Sequence, residues 1–490
     1  MERRGSTMQM GGGAHVLLLP FPVQGHICPM VEFSKRLASK GVRVTIVIPT
    51  VSAATKSMKQ LLAAQPNNSS FKVELISDGS EHLQKLETAE EHSERFRRVI
   101  TRNLSNLITN INKNASIDSD NSEDEYDNDD YPLKCIVYHS CMPWVLDIAR
   151  QHGLDGAPFF TCSSAVTAIF HHFYEGVLKI PSKHARISST TMLLPSMTAP
   201  LGFNDLPSFL SDVDAYPAHL KSTLSQFSNI AQVKWIFCST FDKLEEKVVK
   251  WMASLDWPVK TIGPRIPSTF LDKRLDDEKD YSLSLFKPDV ETCMKWLDSK
   301  EAGSVVYVSF GSLANLAKDQ MEELAWGLNN SNYHFLWVIK ESEKEKLPIN
   351  FFEDISEKGL VVSWCSQLQV LAHEAVGCFV THCGWNSILE ALCLGVPMVT
   401  VPQWADQTTN AKFVADVWKV GMRVKVDEKG RITKEELVMR VTQVMEKEIG
   451  MEIRKASLMW KQLAKEAVDE GGSSHKNIEE FVAQLRCMIR

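Results

Sequence analysis

The segment Thr381 to Ser387, THCGWNS, brings polar and aromatic side chains together between two apolar runs. The run before it predicts a buried strand, and the run after it has helical periodicity. The first N–H groups of a helix lack intrahelical partners and carry about half a positive charge, so they bind anions such as pyrophosphate. His382, Asn386 and Ser387 would add side-chain donors, and Gly384 would let the backbone approach closely. Simple helix capping explains the Asn and the Ser equally well.

Two further segments place polar groups at predicted strand ends. Gly311 and Ser312 follow an apolar run and precede a helical pattern, which is again a turn suited to phosphate. Asp406 and Gln407 follow a later strand, where a carboxylate beside an amide can bind vicinal sugar hydroxyls, or the Asp can cap the next helix. Glu390 lies on the helix of the first motif and would either accept hydrogen bonds from ribose or face solvent.

The bulk composition limits the class of protein. The chain of 490 residues has eleven cysteines, none of them in a C-x-x-C pair, so we expect no zinc site and a reduced, cytoplasmic protein. The net charge of −7 comes mostly from the acidic segment 115–131, which predicts a disordered loop. No basic stripe indicates nucleic acid, and no apolar run reaches the ~18 residues that predict a membrane span.

The order of predicted elements indicates an α/β fold. Each half of the chain opens with strand, loop and helix, at His15 to Gly41 and again at Ser304 to Ser331, and further short apolar strands follow. Such alternation is typical of parallel sheets covered by helices on both faces, with ligands bound at the carboxyl ends of the strands. We expect a disordered tail at 1–14, a first domain at 15–261, an interdomain linker at 262–289 and a second domain from residue 290, with the two domains facing each other across a cleft.

The 44 residues from Trp364 to Gln407 closely resemble the signature box of plant family 1 UDP-sugar-dependent glycosyltransferases. The similarity extends to PFPVQGH near the start and to EGGSS near the end. It implies the GT-B fold, with two Rossmann-like parallel-sheet domains. The first would bind the acceptor, residues 290–470 would bind the UDP-sugar, and a helix at 471–490 would return to the first domain. In detail the chain is similar to the branch that acts on small acids, steroids and terpenoids.

The resemblance also implies roles for individual residues. Trp364 would stack on uracil beside Cys365 and Gln367, and Glu390 would bind the ribose. Ser312, His382, Asn386 and Ser387 would hold the diphosphate. Trp385, Asp406, Gln407 and Thr161 would surround the sugar, and the Gln is associated with glucose in this family. The implied activity is inverting transfer of glucose from UDP-glucose to a hydroxyl or carboxyl group of a small hydrophobic natural product, by a monomer that needs no metal and no tightly bound cofactor.

The predicted catalytic residues include one departure from the family pattern. His26, in the loop after the first strand, would be the general base, because a neutral imidazole can take a proton at cytosolic pH. The family places an aspartate beside this histidine, whereas here His139 stands at that position. Three outcomes are open: reduced activity, a different residue that orients His26, or an acceptor acidic enough to need little help from a general base. The alternative function is a UDP-sugar-binding protein that is non-catalytic or weakly active because His139 replaces the usual aspartate.

The acceptor site is expected in the first half of the chain. Candidate lining residues at loop positions are Phe21, Asp78, Met142, Phe203 and Trp404. An NAD-linked oxidoreductase is the competing enzyme class, since strand–glycine–helix turns also bind dinucleotides. Neither PFPVQGH nor SFGSLAN has the G-x-G-x-x-G spacing, which argues against that class.

Overall fold

The computed structural model describes residues 13–50, 71–82, 87–117, 131–180, 191–274, 289–355 and 357–488. Much of the predicted tail (1–12), of the acidic loop (118–130) and of the linker (275–288) lies outside these ranges. Within them the chain forms two parallel sheets covered by helices, as the pattern of strands and helices predicts. The division into an acceptor-binding and a donor-binding domain stays a prediction.

The first sheet has seven strands in the order β3-β2-β1-β4-β5-β8-β9, and all neighbouring pairs are parallel. Strands β6 and β7 form a separate antiparallel pair. The strands are β1 Ala14–Leu19, β2 Val42–Thr50, β3 Lys72–Ser77, β4 Leu133–His139, β5 Asp155–Phe160, β6 Thr191–Met192, β7 Leu201–Gly202, β8 Ile236–Cys238 and β9 Val259–Thr261.

The second sheet has six parallel strands in the order β12-β11-β10-β13-β14-β15. Its central strands are buried along almost their whole length, which explains their continuous apolar sequences. The strands are β10 Val305–Ser309, β11 His334–Val338, β12 Gly359–Val362, β13 Val376–Thr381, β14 Met398–Thr400 and β15 Gly421–Arg423.

Helices connect the strands and cover both sheets. The α-helices are α1 Gln24–Ala38, α2 Ala89–Ile117, α3 Val145–Gln151, α4 Ser164–Tyr174, α5 Ser208–Ser211, α6 Pro217–Ser225, α7 Glu246–Ala253, α8 Val290–Asp298, α9 Lys318–Asn330, α10 Phe351–Asp354, α11 Gln367–Ala372, α12 Trp385–Leu394, α13 Gln407–Lys412, α14 Lys434–Glu446, α15 Glu448–Val468 and α16 Ser473–Cys487. No helix in the described ranges is both long enough and apolar enough to cross a bilayer.

The last helix, α16, belongs to the core of the first sheet. Its residues Ile478, Phe481 and Val482 are buried in one hydrophobic cluster with strand residues of that sheet. The ring of Phe481 lies 5.1 Å from Trp235 and 4.9 Å from Phe237 between centroids, both in edge-on contact. The chain therefore ends by packing against its first half.

Several local predictions are wrong. Ala14 is a buried residue of β1 rather than part of a tail, and residues 115–117 end α2 rather than begin a loop. His26 lies in the first turn of α1, not in a loop. The helix expected directly after Ser312 begins only at Lys318, so this serine lies in an extended turn, without a helix N-terminus beside it.

Candidate active site

The turn between β13 and α12 exposes a helix N-terminus without a side-chain cap. Cys383 has a left-handed backbone, with φ of 69°. Gly384 is the N-cap residue and makes no side-chain hydrogen bond, so Trp385, Asn386 and Ser387 form the first helical turn. The capping explanation for the Asn and the Ser is therefore wrong. The first N–H groups of this helix keep their capacity to bind an anion.

His382 lies between this turn and the turn after β10. A Cβ atom added to Gly384 would lie 2.5 Å from the His382 Nε2, and one added to Gly311 would lie 2.7 Å from it. Both glycines are thus required by the close approach of the imidazole. Burial lowers the pKa of His382 to about 4, so the ring is neutral at pH 7. Its Nδ1 is buried and has no hydrogen-bond partner among the described residues.

Gln367, at the start of α11, connects the residues predicted to bind the nucleoside. Its Nε2 donates to Ser387 Oγ at 2.9 Å and to Glu390 Oε2 at 2.7 Å. Its Oε1 accepts from the Tyr307 hydroxyl at 3.2 Å, and the same hydroxyl lies 3.3 Å from Cys365 Sγ. Four predicted residues are thereby brought together. Sequence reasoning missed Tyr307, although a tyrosine in an otherwise aliphatic buried strand signals a hydroxyl that needs a partner.

Trp364 and Ser312 are partly buried at the same edge of the second sheet. The carbonyl of Trp364 accepts from the Asp289 N–H at 3.2 Å, which anchors the end of the predicted linker beside β12. The stacking of Trp364 on uracil and the contact of Ser312 with phosphate stay predictions.

Asp406 and Gln407 lie at the start of α13. The Asp406 side chain makes no helix cap, so that alternative is wrong. Its Oδ2 accepts instead from Asn410 Nδ2 at 2.8 Å, and burial raises its pKa to about 6. Gln407 Oε1 accepts from the N–H groups of Gln403 and Trp404, at 2.9 and 3.1 Å. A desolvated carboxylate with a raised pKa is typical of a ligand site.

Asn410 was not predicted from the sequence, yet it joins three parts of the site. It is 1% exposed, and its Nδ2 donates to the Cys383 carbonyl at 3.1 Å as well as to Asp406. Its Oδ1 accepts from Ser163 Oγ, in the first half of the chain, at 3.2 Å. In the sequence, only the spacing of buried residues along α13 could have indicated that Asn410 belongs to the site.

Trp385 is covered by protein. Its indole Nε1 donates to the Ser239 carbonyl, at the end of β8, at 2.7 Å, and its ring lies 5.9 Å from that of Trp418. With 4% of the residue exposed, the indole is a contact between the two halves of the chain. The place of Trp385 beside the sugar stays a prediction. This contact explains why a large aromatic residue occupies the first turn of α12.

The first turns of α12 and α1 meet across the two halves. Asn386 Nδ2 donates to the Gly25 carbonyl at 2.7 Å, and Gly25 directly precedes His26. The predicted anion site and the predicted catalytic histidine are therefore adjacent. The carboxyl ends of both sheets contribute to this junction, because Gly25 follows β1 and Asn386 follows β13.

His26 and His139 form a direct pair. His26 Nδ1 is hydrogen-bonded to His139 Nε2, and the ring centroids are 4.3 Å apart. Thr161 Oγ1 lies 3.0 Å from the same Nε2, so Thr161 contacts the pair. Its contact with the sugar stays a prediction. The Cys141 N–H donates to His139 Nδ1 at 3.3 Å.

Both rings of this pair are neutral at physiological pH. Burial lowers the pKa of His26 to about 4. Burial, and secondly the charge of His26, lower the pKa of His139 well below its ordinary value. Removal from water is thus a larger cause than repulsion between the two rings.

The five acceptor-site candidates fall into different environments. The Phe21 ring lies 5.9 Å from both His26 and His139, so it is next to the catalytic pair. Met142 is 1% exposed in the hydrophobic core, which removes it from a binding surface. The Asp78 carboxylate is already engaged, since its Oδ1 accepts from the Ser80 N–H at 2.9 Å.

The remaining two candidates lie further along the chain. Phe203 is partly buried in a single 3-10 turn, Phe203–Asp205. Trp404 belongs to an aromatic cluster with Phe209, at 5.9 Å, and Tyr216, at 6.3 Å between centroids. This cluster joins the second half of the chain to the segment around α5.

Comparison with known proteins gives a consistent assignment. Residues 14–463 match the model of the family described as UDP-glucoronosyl and UDP-glucosyl transferase. The chain is 50% identical over 475 residues to Mogroside I-E synthase of Siraitia grosvenorii, covering 97% of this chain and 99% of that protein. It is 49% identical over 478 residues to UDP-glycosyltransferase 74E1 of Arabidopsis thaliana, covering 97% and 100%.

Among solved structures, Os79 from O. sativa in complex with UDP aligns with a TM-score of 0.84 at 34% identity. The alignment covers 96% of this chain and 100% of that one, so it includes both sheets and the junction between them. Family model, relatives and fold agree over nearly the full length. The chain therefore belongs to the plant family 1 UDP-glycosyltransferases, enzymes with the GT-B fold.

Proposed function

We propose that the protein transfers glucose from UDP-glucose to a hydroxyl or carboxyl group of a small hydrophobic natural product, such as a steroid, a terpenoid or a phenolic compound. The observation that carries the proposal is the contact between Asn386 and Gly25, which joins an uncapped helix N-terminus to the turn that holds His26. A diphosphate bound at the helix would present its sugar to the imidazole.

The donor would bind along the carboxyl edge of the second sheet. Uracil would stack on Trp364, and Glu390, held by Gln367, would accept hydrogen bonds from the ribose. The N–H groups of α12 and the His382 imidazole would receive the diphosphate. Asp406 and Gln407 would hold the glucose hydroxyls.

The reaction would be a single displacement that inverts the anomeric carbon. The acceptor oxygen attacks this carbon from the side of His26 while the bond to the diphosphate breaks on the opposite side. UDP leaves with its charge stabilised by the α12 N-terminus and the neighbouring donors. For a hydroxyl acceptor, His26 would take the proton as general base, a contribution typically worth ~10² to 10⁴ in rate.

We also propose that the enzyme is a monomer, and that it works in the reducing cytoplasm because all eleven cysteines are free and most are buried. Similarity to the protein named Mogroside I-E synthase favours a terpenoid among the acceptors to be tried.

A UDP-release assay with UDP-glucose and a panel of phenols, sterols and carboxylic acids tests the proposal, with products identified by mass spectrometry. We expect glucosylated product with at least one class, and a loss of at least 100-fold in His26→Ala for any hydroxyl acceptor that is glucosylated. Binding of UDP-glucose without product from any class would overturn the proposal in favour of a sugar-nucleotide-binding protein.

A further inference from the structure

His139 stands beside His26 where the family resemblance implies an aspartate. A carboxylate only accepts hydrogen bonds, so it holds the proton of its histidine partner on the facing nitrogen. A neutral imidazole has one donor and one acceptor nitrogen, and its partners decide which is which. The direction of the hydrogen bond within the pair is therefore set by the other contacts of His139.

Those contacts fix the tautomer of His139. The backbone N–H of Cys141 can only donate, and it points to Nδ1 at 3.3 Å. Nδ1 is therefore the acceptor, and the single proton of the neutral ring is on Nε2. This Nε2 faces His26 Nδ1 and lies 3.0 Å from Thr161 Oγ1.

The tautomer of His26 follows from that of His139. A proton on His26 Nδ1 would point directly at the proton on His139 Nε2. This holds whether His139 Nε2–H donates mainly to His26 or mainly to Thr161. His26 Nδ1 is therefore an acceptor, and the neutral ring carries its proton on Nε2. This is the reverse of the arrangement that an aspartate imposes, in which Nε2 keeps a free lone pair.

No other group restores the usual arrangement. Among the described residues no carboxylate shifts the pKa of either ring: burial alone acts on His26, and burial and His26 act on His139. The other groups that contact His139 within the described residues are the Phe21 ring, the Thr161 hydroxyl and the Cys141 N–H, and none of them is a carboxylate. A different residue as the orienting group, which the sequence left open, has no candidate there.

We propose that His139 is a positioning residue that makes His26 a hydrogen-bond donor, and that the enzyme thereby favours acceptors that bind already ionised, of the carboxylic-acid class. The inference rests on the proposed function, because it requires a glucose donor opposite His26. A carboxylate oxygen attacks the anomeric carbon, the bond between that carbon and the diphosphate oxygen breaks with its electron pair, and UDP leaves. The product is a glucose ester, and no proton is transferred.

A hydroxyl acceptor needs a different tautomer. His26 Nε2 must be free of its proton to receive one, which requires a proton on Nδ1 and therefore a proton on His139 Nδ1. The Cys141 N–H would then lose its acceptor. An unsatisfied buried donor of this kind reduces the reactive population roughly 5- to 150-fold. An ionised carboxyl group avoids this penalty and accepts a hydrogen bond from the existing Nε2–H.

One acceptor that carries both nucleophiles tests the proposal within a single molecule. With 4-hydroxybenzoic acid at pH 7 the carboxyl group is ionised and the phenol is neutral. We expect the wild-type enzyme to form mainly the alkali-labile ester. In His139→Asp the carboxylate can only accept, from His26 Nδ1–H, so the ratio of phenol glucoside to ester should rise roughly 5- to 150-fold. In His139→Asn the amide NH₂ can donate to His26 Nδ1 as His139 does, so the ratio should stay near that of the wild type.

Two further measurements distinguish an effect of hydrogen-bond direction from a folding defect in the variants. Wild-type ester formation should be level from pH 6 to 9, whereas glucoside formation by His139→Asp should fall as His26 becomes protonated at lower pH. UDP affinity and melting temperature should match the wild type in both variants, which excludes a folding defect.

An unchanged product ratio in His139→Asp, with UDP affinity intact, would overturn the proposal. An equal rise of the ratio in His139→Asn would also overturn it, because the ratio would then not depend on which group donates within the pair. If the wild-type enzyme binds UDP-glucose but forms neither product with this or any other acceptor, the proposed function itself has failed.

Discussion

Replacing Glu390 with glutamine should separate ribose recognition from the rest of nucleotide binding. Glu390 is 6% exposed, and its Oε2 accepts from Gln367 Nε2 at 2.7 Å. Glutamine has nearly the same shape, and its carbonyl oxygen can keep the bond to Gln367. The other carboxylate oxygen becomes an NH₂ group, which cannot accept from a ribose hydroxyl.

The size of the effect follows from the charge that is removed. Hydrogen bonds to an ionised group contribute about 1.5–3 kcal/mol, so Glu390→Gln should weaken UDP binding roughly 10- to 150-fold. Isothermal titration calorimetry should be performed with UDP and with 2′,3′-dideoxy-UDP, which lacks both hydroxyls. The variant should bind the dideoxy nucleotide about as well as the wild type does.

Glu345→Gln is the matched control, because Glu345 is exposed and distant in sequence from the predicted donor-binding residues. It should leave both affinities unchanged. The reasoning is refuted if Glu390→Gln weakens both nucleotides by the same factor, since the carboxylate would then act on the fold or on another part of the ligand.

Three other predictions test the same site. Gly384→Ala would place a Cβ atom 2.5 Å from His382 Nε2. UDP affinity measured by calorimetry should therefore fall at least ~10-fold while the protein stays folded. Unchanged affinity would show that His382 can move without affecting UDP binding. Trp385→Phe removes the hydrogen bond to the Ser239 carbonyl and should cost about 1–3 kcal/mol, seen as a lower melting temperature; an unchanged melting temperature would contradict a role in joining the two halves. Because the pKa values of buried His26 and His382 are lowered to about 4, the unfolded chain binds more protons than the folded one below pH 6.5. The free energy of unfolding should therefore be highest above pH 6.5 and decrease towards pH 4, by up to about 3 kcal/mol per ring. Denaturant unfolding at a series of pH values measures this free energy, and an increase towards pH 4 would contradict the prediction.

The sequence predicted the two sheets because their strands are short apolar runs separated by helices. Not every strand has such a run: the side chains of β3 are mostly only partly buried, and the edge strands β9 and β15 have three residues each. Such short or partly exposed strands give too little periodicity to be recognised. These strands are defined by their pairing with neighbouring strands in the sheet, not by a local sequence pattern.

Within the site, local signals identified the groups but not always their partners. The anion-binding turn at Gly384 was predicted because glycine and polar residues at a strand–helix junction have a direct physical meaning. The contacts of Trp385 with Ser239 and of Asn410 with Ser163 join residues far apart in sequence. No local pattern can indicate such pairs.

The pair of histidines shows the same limit most clearly. The sequence showed that His139 replaces an aspartate, but the direction of its hydrogen bond depends on the backbone N–H of Cys141, two residues further on. Only the ring orientation in the structure establishes which nitrogen receives that donor.

The central claim is that the second sheet binds UDP-glucose with its diphosphate at the N-terminus of α12 and its sugar opposite His26. A crystal structure with a non-transferable UDP-glucose analogue tests this most directly. We expect the uracil on the Trp364 ring, the phosphates within hydrogen-bond distance of the Asn386 and Ser387 amides, and the anomeric carbon facing His26. An analogue seated elsewhere, or with its sugar turned away from the histidine pair, would contradict the account.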